Sequence, residues 1–258
     1  MNELLTEIGL LSRRSVRRTL RQPALIVPTI VFPLFLLAVN ASGLDSATKI
    51  PGFPTASYLD FAITVPFMQG ALFASTTAGT EIANDIETGF LNRLQLTPLR
   101  GAAILIGQMA GAVLLALIGA VIYLAVGLLA GVTIAAGVGG ALLLLVLAVI
   151  VAIAFASIGA LLATRTGSSQ AVQGMFPLIF VLFFLSSMSM PRNLIGVDWF
   201  RTVATWNPIS YLVEGLRSLV ITGWDGPALA KGFGAALAIT VLAGAAASAS
   251  LRTRMART

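Results

Sequence analysis

The chain has 258 residues, of which 57% are hydrophobic and only 10% charged, with a mean hydropathy of +0.95 and a formal net charge of +6. A soluble domain carries about 25% charged residues, so this sequence lacks the charge to cover a water-facing surface and does not read as a soluble enzyme. With no His and no Cys, metal sites of imidazole or thiolate, disulfides and Cys or His catalysis are excluded.

Residues 3–21 place Leu4, Leu5, Ile8, Leu11, Val16 and Leu20 among Arg13, Arg14, Arg17, Arg18 and Arg21. That spacing predicts an amphipathic helix over 1–22 lying in the membrane interface. Ser12-Arg13-Arg14 before an apolar stretch also fits a twin-arginine signal. Glu3, Glu7, Pro28 and Pro33 speak against a cleaved signal. Five stretches then lack Asp, Glu, Lys and Arg: 22–44, 61–80, 101–164, 166–191 and 232–251. Each suffices for a spanning helix, which takes about 20 apolar residues. Stretch 101–164 would run roughly 96 Å as one helix, so it folds back, with the turn over residues 130–140. The prediction is an all-α membrane protein with six spans, near 24–42, 59–80, 102–130, 139–163, 168–190 and 232–251. The ends that would share one side carry 11 of the 16 Lys and Arg, which places both termini in the cytoplasm. The clustered Arg reads as membrane topology and lipid contact, with no nucleic-acid partner.

The link after the second span, residues 81–100, carries Glu81, Asp85 and Glu87, then Gly89, then Arg93, then Thr97-Pro98. Acidic groups early and a basic group late favour a short helix through its dipole. Leu91, Leu94 and Leu96 alternate with polar residues. Twenty residues exceed what a passive connection needs, so the segment is expected to dock onto another protein. Residues 191–231 form a long outer excursion. There Asn207-Pro208 can cap and open a helix. Residues 208–220 are too few to cross a bilayer, so a re-entrant or interfacial helix is expected. Glu214 and Arg217 stand three apart and can pair; Trp199, Trp206 and Tyr211 suit the headgroup level.

No charge is expected inside the membrane, which removes proton relays built on carboxylates. The two lysines, Lys49 and Lys231, lie outside any Gly-Lys-Ser/Thr context, so the chain has no phosphate-binding loop and any ATP work falls to another subunit. Phe176, Phe180, Phe183 and Phe184 recur on one helical face. They fit a lipid-facing surface or a route for a bulky amphipathic solute, and spacing alone leaves both open.

In its layout the chain resembles the membrane subunit of an ABC-2 type transporter, similar to the daunorubicin-resistance drug-efflux permeases. Two patterns carry the resemblance. The first is Asn84-Asp85-Ile86-Glu87-Thr88-Gly89-Phe90 followed by Arg93, Pro98 and Gly107; the second is Pro191, then Asn207-Pro208, Glu214 and Arg217. The resemblance implies one transmembrane domain over 1–258 that pairs with a second permease, the same chain or a paralogue, in a multi-pass assembly of the cell membrane. Two ABC ATPase subunits would bind ATP and Mg and dock at Glu81, Asp85, Glu87, Gly89, Arg93 and Pro98. The solute would pass Gln69, Phe73, Gln173, Phe176, Phe180 and Phe183, and Pro191, Asn207, Pro208, Glu214 and Arg217 would form an outer re-entrant gate. This chain itself would be no enzyme and hold no cofactor. The expected cargo is a hydrophobic or amphipathic drug-like molecule or lipid. Alternatives are export of a polysaccharide or lipid-linked glycan, a passive channel or scaffold, or a lipid-modifying enzyme using Asp198, Glu214 or Asp225.

Overall fold

The computed structural model describes residues 2–94 and 101–255, and within them every regular element is a helix. Pro98 and Arg100 lie outside the described residues. Helix α1 spans Asn2–Leu20, α2 Pro23–Gly43, α3 Tyr58–Ala62, α4 Thr64–Glu87, α5 Phe90–Leu94, α6 Gly101–Leu129 and α7 Gly137–Thr166. Then come α8 Ser169–Gly174, α9 Phe176–Phe184, α10 Asp198–Trp206, α11 Pro208–Ile221 and α12 Gly226–Met255.

Five helices among the described residues are long and apolar enough to cross a membrane, at Pro23–Gly43, Tyr58–Glu87, Ala103–Leu129, Gly137–Thr166 and Gly226–Arg254. The expected span over 168–190 differs. Its helical part, Ser169–Phe184, breaks between α8 and α9 and stops short of 190. Pro177 explains the break, because it removes the N–H that would bond the Gln173 carbonyl. The predicted turn over 130–140 is present, opening with Gly131 at φ +97° and closing with Gly137 at φ +65°, a backbone that glycine adopts without strain. Its amides also serve a neighbour: Ala135 and Ala136 donate to the carbonyls of Val220 and Leu219 at 3.0 and 3.1 Å, satisfying the end of α11.

Helix α4 is the axis of the molecule. In its most apolar window 89% of residues are buried, against 17% for α2 and 22% for α12. Small residues let its neighbours approach. A Cβ on Gly159 of α7 would stand 1.9 Å from the Ser75 carbonyl oxygen of α4, so the two backbones touch there. Close crossings of this kind are how helices associate where lipid removes the hydrophobic drive. Helix α11 meets α12 the same way at Gly215 and Gly232.

Helix α1 covers Asn2–Leu20, and small polar residues face the bundle. Ser15 and Thr19 are buried while Leu5, Leu10 and Leu20 are exposed. The cause lies on α6, where Gly107 and Gly111 are one turn apart. Their missing side chains admit Leu11, Ser15 and Thr19, with a Cβ at Gly111 falling 2.3 Å from Thr19 Oγ1.

Candidate functional site

Three groups of residues stand out, beginning with a cleft between α2, α4, α8 and α9. It encloses about 450 Å³ and is lined by Thr29, Phe73, Thr76, Thr77, Thr80, Gln173 and Phe176, with Ala24, Leu25, Pro28 and Pro177 completing the wall. No charged residue contributes to it. The prolines add chemistry of their own. Pro28 lacks the N–H that would bond the Ala24 carbonyl four residues earlier, and Ala24 lies on the cleft wall; the Gln173 carbonyl, left in the same way by Pro177, accepts from the backbone at the end of α8. The same logic operates at Pro33, where the Thr29 carbonyl accepts instead from Tyr123 Oη. Thr76 and Thr80 spend their hydroxyl hydrogens on helix carbonyls, Thr76 at 3.0 Å from Phe73 and Thr80 at 2.7 Å from Thr76. The cleft therefore offers aromatic surface and hydrogen-bond acceptors, with the Gln173 amide as a donor.

Phe73 and Phe176 approach with ring centroids 6.0 Å apart, and Phe176 stacks on Phe180 at 5.7 Å with 16° between planes. Phe180 meets Phe184 edge-on at 5.1 Å. Two expected pathway residues fall elsewhere. Phe183 points into the core against Phe155, 5.6 Å centroid to centroid, because it sits at the far edge of the arc that Phe176, Phe180 and Phe184 share. Gln69 is buried inside α4's packing, and its Oε1 has no hydrogen-bond partner among the described residues.

The second group is a polar network at the end of α4. Asp85 accepts two bonds from Arg14, at 2.7 and 3.0 Å, one from Arg18 at 3.1 Å and one from Gln108 Nε2 at 2.9 Å. The bond to Asp85 raises the Arg14 pKa. Glu81, one turn earlier, accepts from Ser15 Oγ at 3.2 Å and Thr19 Oγ1 at 3.1 Å. The single Ser15 hydroxyl hydrogen is shared between Glu81 and the Gln108 carbonyl, 2.8 Å away, and Ser15 Oγ accepts from the Gly111 amide at 3.1 Å. Such bidentate, charge-assisted bonds fix orientation as well as position. Arg14 also lies 3.8 Å above the Phe90 ring of α5.

This arrangement revises the expected docking segment. Residues 81–87 are the last turns of α4, and Glu81 and Asp85 face inward, so neither is a surface contact. They clamp α1 to α4 and α6. Glu87 remains exposed and accepts from the Ser169 amide at 2.7 Å, holding the start of α8. Gly89, at φ +68°, terminates α4 in the left-handed conformation that favours glycine. Arg93 on α5 is exposed.

The third group lies at the opposite end of α4. Asn207 caps α11, its Oδ1 accepting from the Ile209 amide at 3.0 Å, with Pro208 in the first turn as expected. Its Nδ2 donates to the Leu182 and Leu185 carbonyls at 2.7 and 2.9 Å, closing the end of α9 as well. Replacing Asn207 with alanine should lower stability by about 2–3 kcal/mol, a lost cap plus orphaned carbonyls. Thermal unfolding of the detergent-solubilised chain checks this, and a change under about 0.5 kcal/mol would contradict the double-cap role. Pro191 immediately precedes the short 3-10 turn Arg192–Leu194. The expected Glu214–Arg217 pair does not form. Glu214 pairs with Arg192, which also sits 4.8 Å over the Tyr211 ring. Arg217 is buried and donates to the carbonyls of Phe61, Ser187 and Met188 at 3.2, 2.9 and 2.8 Å, its guanidinium 3.5 Å from the Phe61 ring centroid.

A profile of the ABC-2 type transporter family matches residues 6–221, from α1 through α11. The chain belongs to that family.

Two curated relatives are "probable doxorubicin resistance ABC transporter permease protein DrrC" of Mycobacterium tuberculosis, strains CDC 1551 / Oshkosh and ATCC 25618 / H37Rv. Each is 24% identical over 216 residues, covering 82% of this chain and 76% of the relative. Membership makes this chain the membrane subunit of an ABC exporter, a multi-pass protein of the plasma membrane that works with an ABC ATPase.

In this ABC-2 permease the sequence patterns singled out residues whose packing partners only the structure supplies. Nothing in residues 1–22 announces that Ser15 and Thr19 outrank the leucines as buried contacts. A signal did exist, because Gly107 and Gly111 stand four apart on α6. The carbonyl freed by Pro28 was equally readable, four residues earlier at Ala24.

Proposed function

We propose that this permease exports an amphipathic, largely hydrophobic solute of drug or lipid type. The solute would be taken up at the cleft between α2, α4, α8 and α9, driven by two separate ATPase subunits that hold the ATP and Mg. The observation that carries this reading is the cleft itself. It is uncharged, bordered by Phe73 and Phe176, furnished with threonine and carbonyl acceptors, and about 450 Å³ in volume. Sites for drug-sized molecules occupy about 300–1,000 Å³ and combine apolar walls with a few polar groups. A glycan would call for Trp and Tyr platforms, and neither lines this cleft.

Six crossings, with α8 and α9 completing the fifth, put both termini on the cytoplasmic side, where the positive-inside rule places the arginine-rich ends. A second permease would pack against α2 and α9, the helices that border the cleft, where Val27, Val31, Phe35, Leu178 and Val181 are exposed. The ATPase would meet the inner end at Glu87, Gly89 and Arg93, with Pro98 further along the same segment. Motion would pass to α4 through the Asp85 clamp. The outer turn at Pro191, Asn207, Pro208, Glu214 and Arg217 would close the exit.

Thr77→Tyr, which fills the cleft, and Phe176→Ala, which removes an aromatic wall, test the reading in proteoliposomes containing the permease and its ATPase. Solute-stimulated efflux should fall about tenfold in each, the equivalent of about 1.4 kcal/mol, while basal ATPase activity persists. Unchanged efflux in both variants would remove the cleft from the transport route.

A further inference from the structure

A second groove lies on the other side of the molecule, between α1, α6, α7 and α12. It encloses about 400 Å³, and its walls include Met109, Val113, Ile153, Ala247 and Gly244, with Ser12 of α1 closing one end. Two of its four hydroxyls are already occupied: Ser157 donates to the Ile153 carbonyl at 2.8 Å and Thr240 to the Ala236 carbonyl at 2.9 Å. Those of Ser12 and Ser248 are the others, and the rest of the wall is apolar, a surface suited to a hydrocarbon chain.

The groove also has a direction. Thr240, Gly244 and Ser248 line it at four-residue intervals along α12. Eight residues of helix cover about 12 Å, close to the roughly 15 Å depth of one leaflet's hydrocarbon. The next residue in that register is Arg252, one turn beyond Ser248. On α1, Arg13 follows Ser12. Both arginines are exposed, and neither side chain has an ion pair or hydrogen bond among the described residues. The α12 stripe that lines the groove thus runs on to Arg252, and Arg13 neighbours the groove's α1 residue, Ser12, in the chain.

We propose that this groove binds one acyl chain of an anionic phospholipid, whose headgroup is held between Arg13 and Arg252. The site is separate from the solute cleft, which lies across α4. It rests on the reading that the arginine-rich end faces the cytoplasmic leaflet, where anionic lipid attracts basic side chains. The lipid would fill the gap between α1 and α12, so it would brace the same helix that Asp85 clamps from the opposite flank.

Native mass spectrometry of the full-length permease in detergent, titrated with dioleoyl phosphatidylglycerol or dioleoyl phosphatidylcholine, tests the site. One phosphatidylglycerol should bind in preference to phosphatidylcholine. Replacing Arg13 and Arg252 with glutamine should weaken phosphatidylglycerol binding by about fivefold per arginine and leave phosphatidylcholine unaffected. Gly244→Leu should abolish binding of both, since a Cβ there meets only Ser157 Oγ at 3.9 Å and the rest of the side chain enters the groove. Gly234→Leu, at an open position on the same helix with nothing within 4 Å of its Cβ, should bind as the unaltered chain does and controls for folding. Equal affinity for the two lipids, or full binding by Gly244→Leu, would overturn the proposal. So would loss in Gly244→Leu with no effect of the arginines, because the headgroup assignment would then fail. None of these outcomes bears on the solute cleft, which efflux measures independently.

Discussion

Arg217→Met is expected to cost this permease its folded outer end. The guanidinium holds three buried carbonyls, of Phe61, Ser187 and Met188, which come from the start of the second long helix and the turn after α9. Each buried acceptor left without a donor costs about 1–3 kcal/mol, and methionine supplies none. A total loss of about 3–6 kcal/mol would exhaust much of the roughly 5–15 kcal/mol that holds a typical domain together. Lysine should rescue only part, because an ammonium on a shorter stem cannot reproduce the planar fork that reaches three carbonyls at once. The measurement is unfolding of the solubilised chain by denaturant, with Arg192→Met as comparison. Arg192 is only partly buried and pairs with Glu214, so its removal should cost about 1 kcal/mol or less. Equal, small losses for both would mean that Arg217 does not lock the outer segment to α3.

Asp85→Ala should undock α1. The carboxylate is 4% exposed and serves Arg14, Arg18 and Gln108 together. Breaking a fully buried pair costs about 3–5 kcal/mol. Arg14 and Arg18 are 38% and 25% exposed, so both can turn to water and a loss nearer about 2 kcal/mol is expected. The larger effect should be mechanical. The chain contains no cysteine, so a cysteine pair placed at Ser12 and Met109, which line the same groove beside the α1–α6 contact, reports docking without background. Oxidative cross-linking should drop about tenfold with Asp85→Ala, and transport-coupled ATPase activity should fall with it. Arg93→Ala should lower coupling while cross-linking stays intact, since Arg93 is exposed and takes no part in the clamp. If Asp85→Ala left both cross-linking and coupling unchanged, the Asp85 clamp would not be the route by which motion reaches α4.

The two variants also show where sequence reasoning reached its limit. Asp85 was singled out because acidic groups cluster before Gly89, yet its burial was not legible. A carboxylate at the end of a long apolar helix can face water or face a buried arginine, and the choice depends on whether another helix brings that arginine within 3 Å. Helix α1 does so only because Gly107 and Gly111 leave α6 bare on one side. Glu214 and Arg217 failed for the complementary reason. Three-residue spacing permits a pair, but α11 rotates Arg217 toward three carbonyls, and Arg192, distant in sequence, takes Glu214 instead.

What the sequence determined by itself is what one segment's chemistry dictates. Four of the five charge-free stretches become long helices, with 101–164 giving two of them, Gly131 and Gly137 turn the chain back, and Asn207-Pro208 opens α11. The matched family follows from those same local patterns. Pairing across the fold was left to tertiary structure: the inward face of α1, the turn of Phe183 into the core, the burial of Arg217, and the closing of a cleft around Phe73 and Phe176. In a membrane helix nearly every face is apolar, so hydrophobic periodicity cannot select the buried side. Glycine contacts, proline-freed carbonyls and a few buried charges make that selection, and they act only when a second helix is present to answer them.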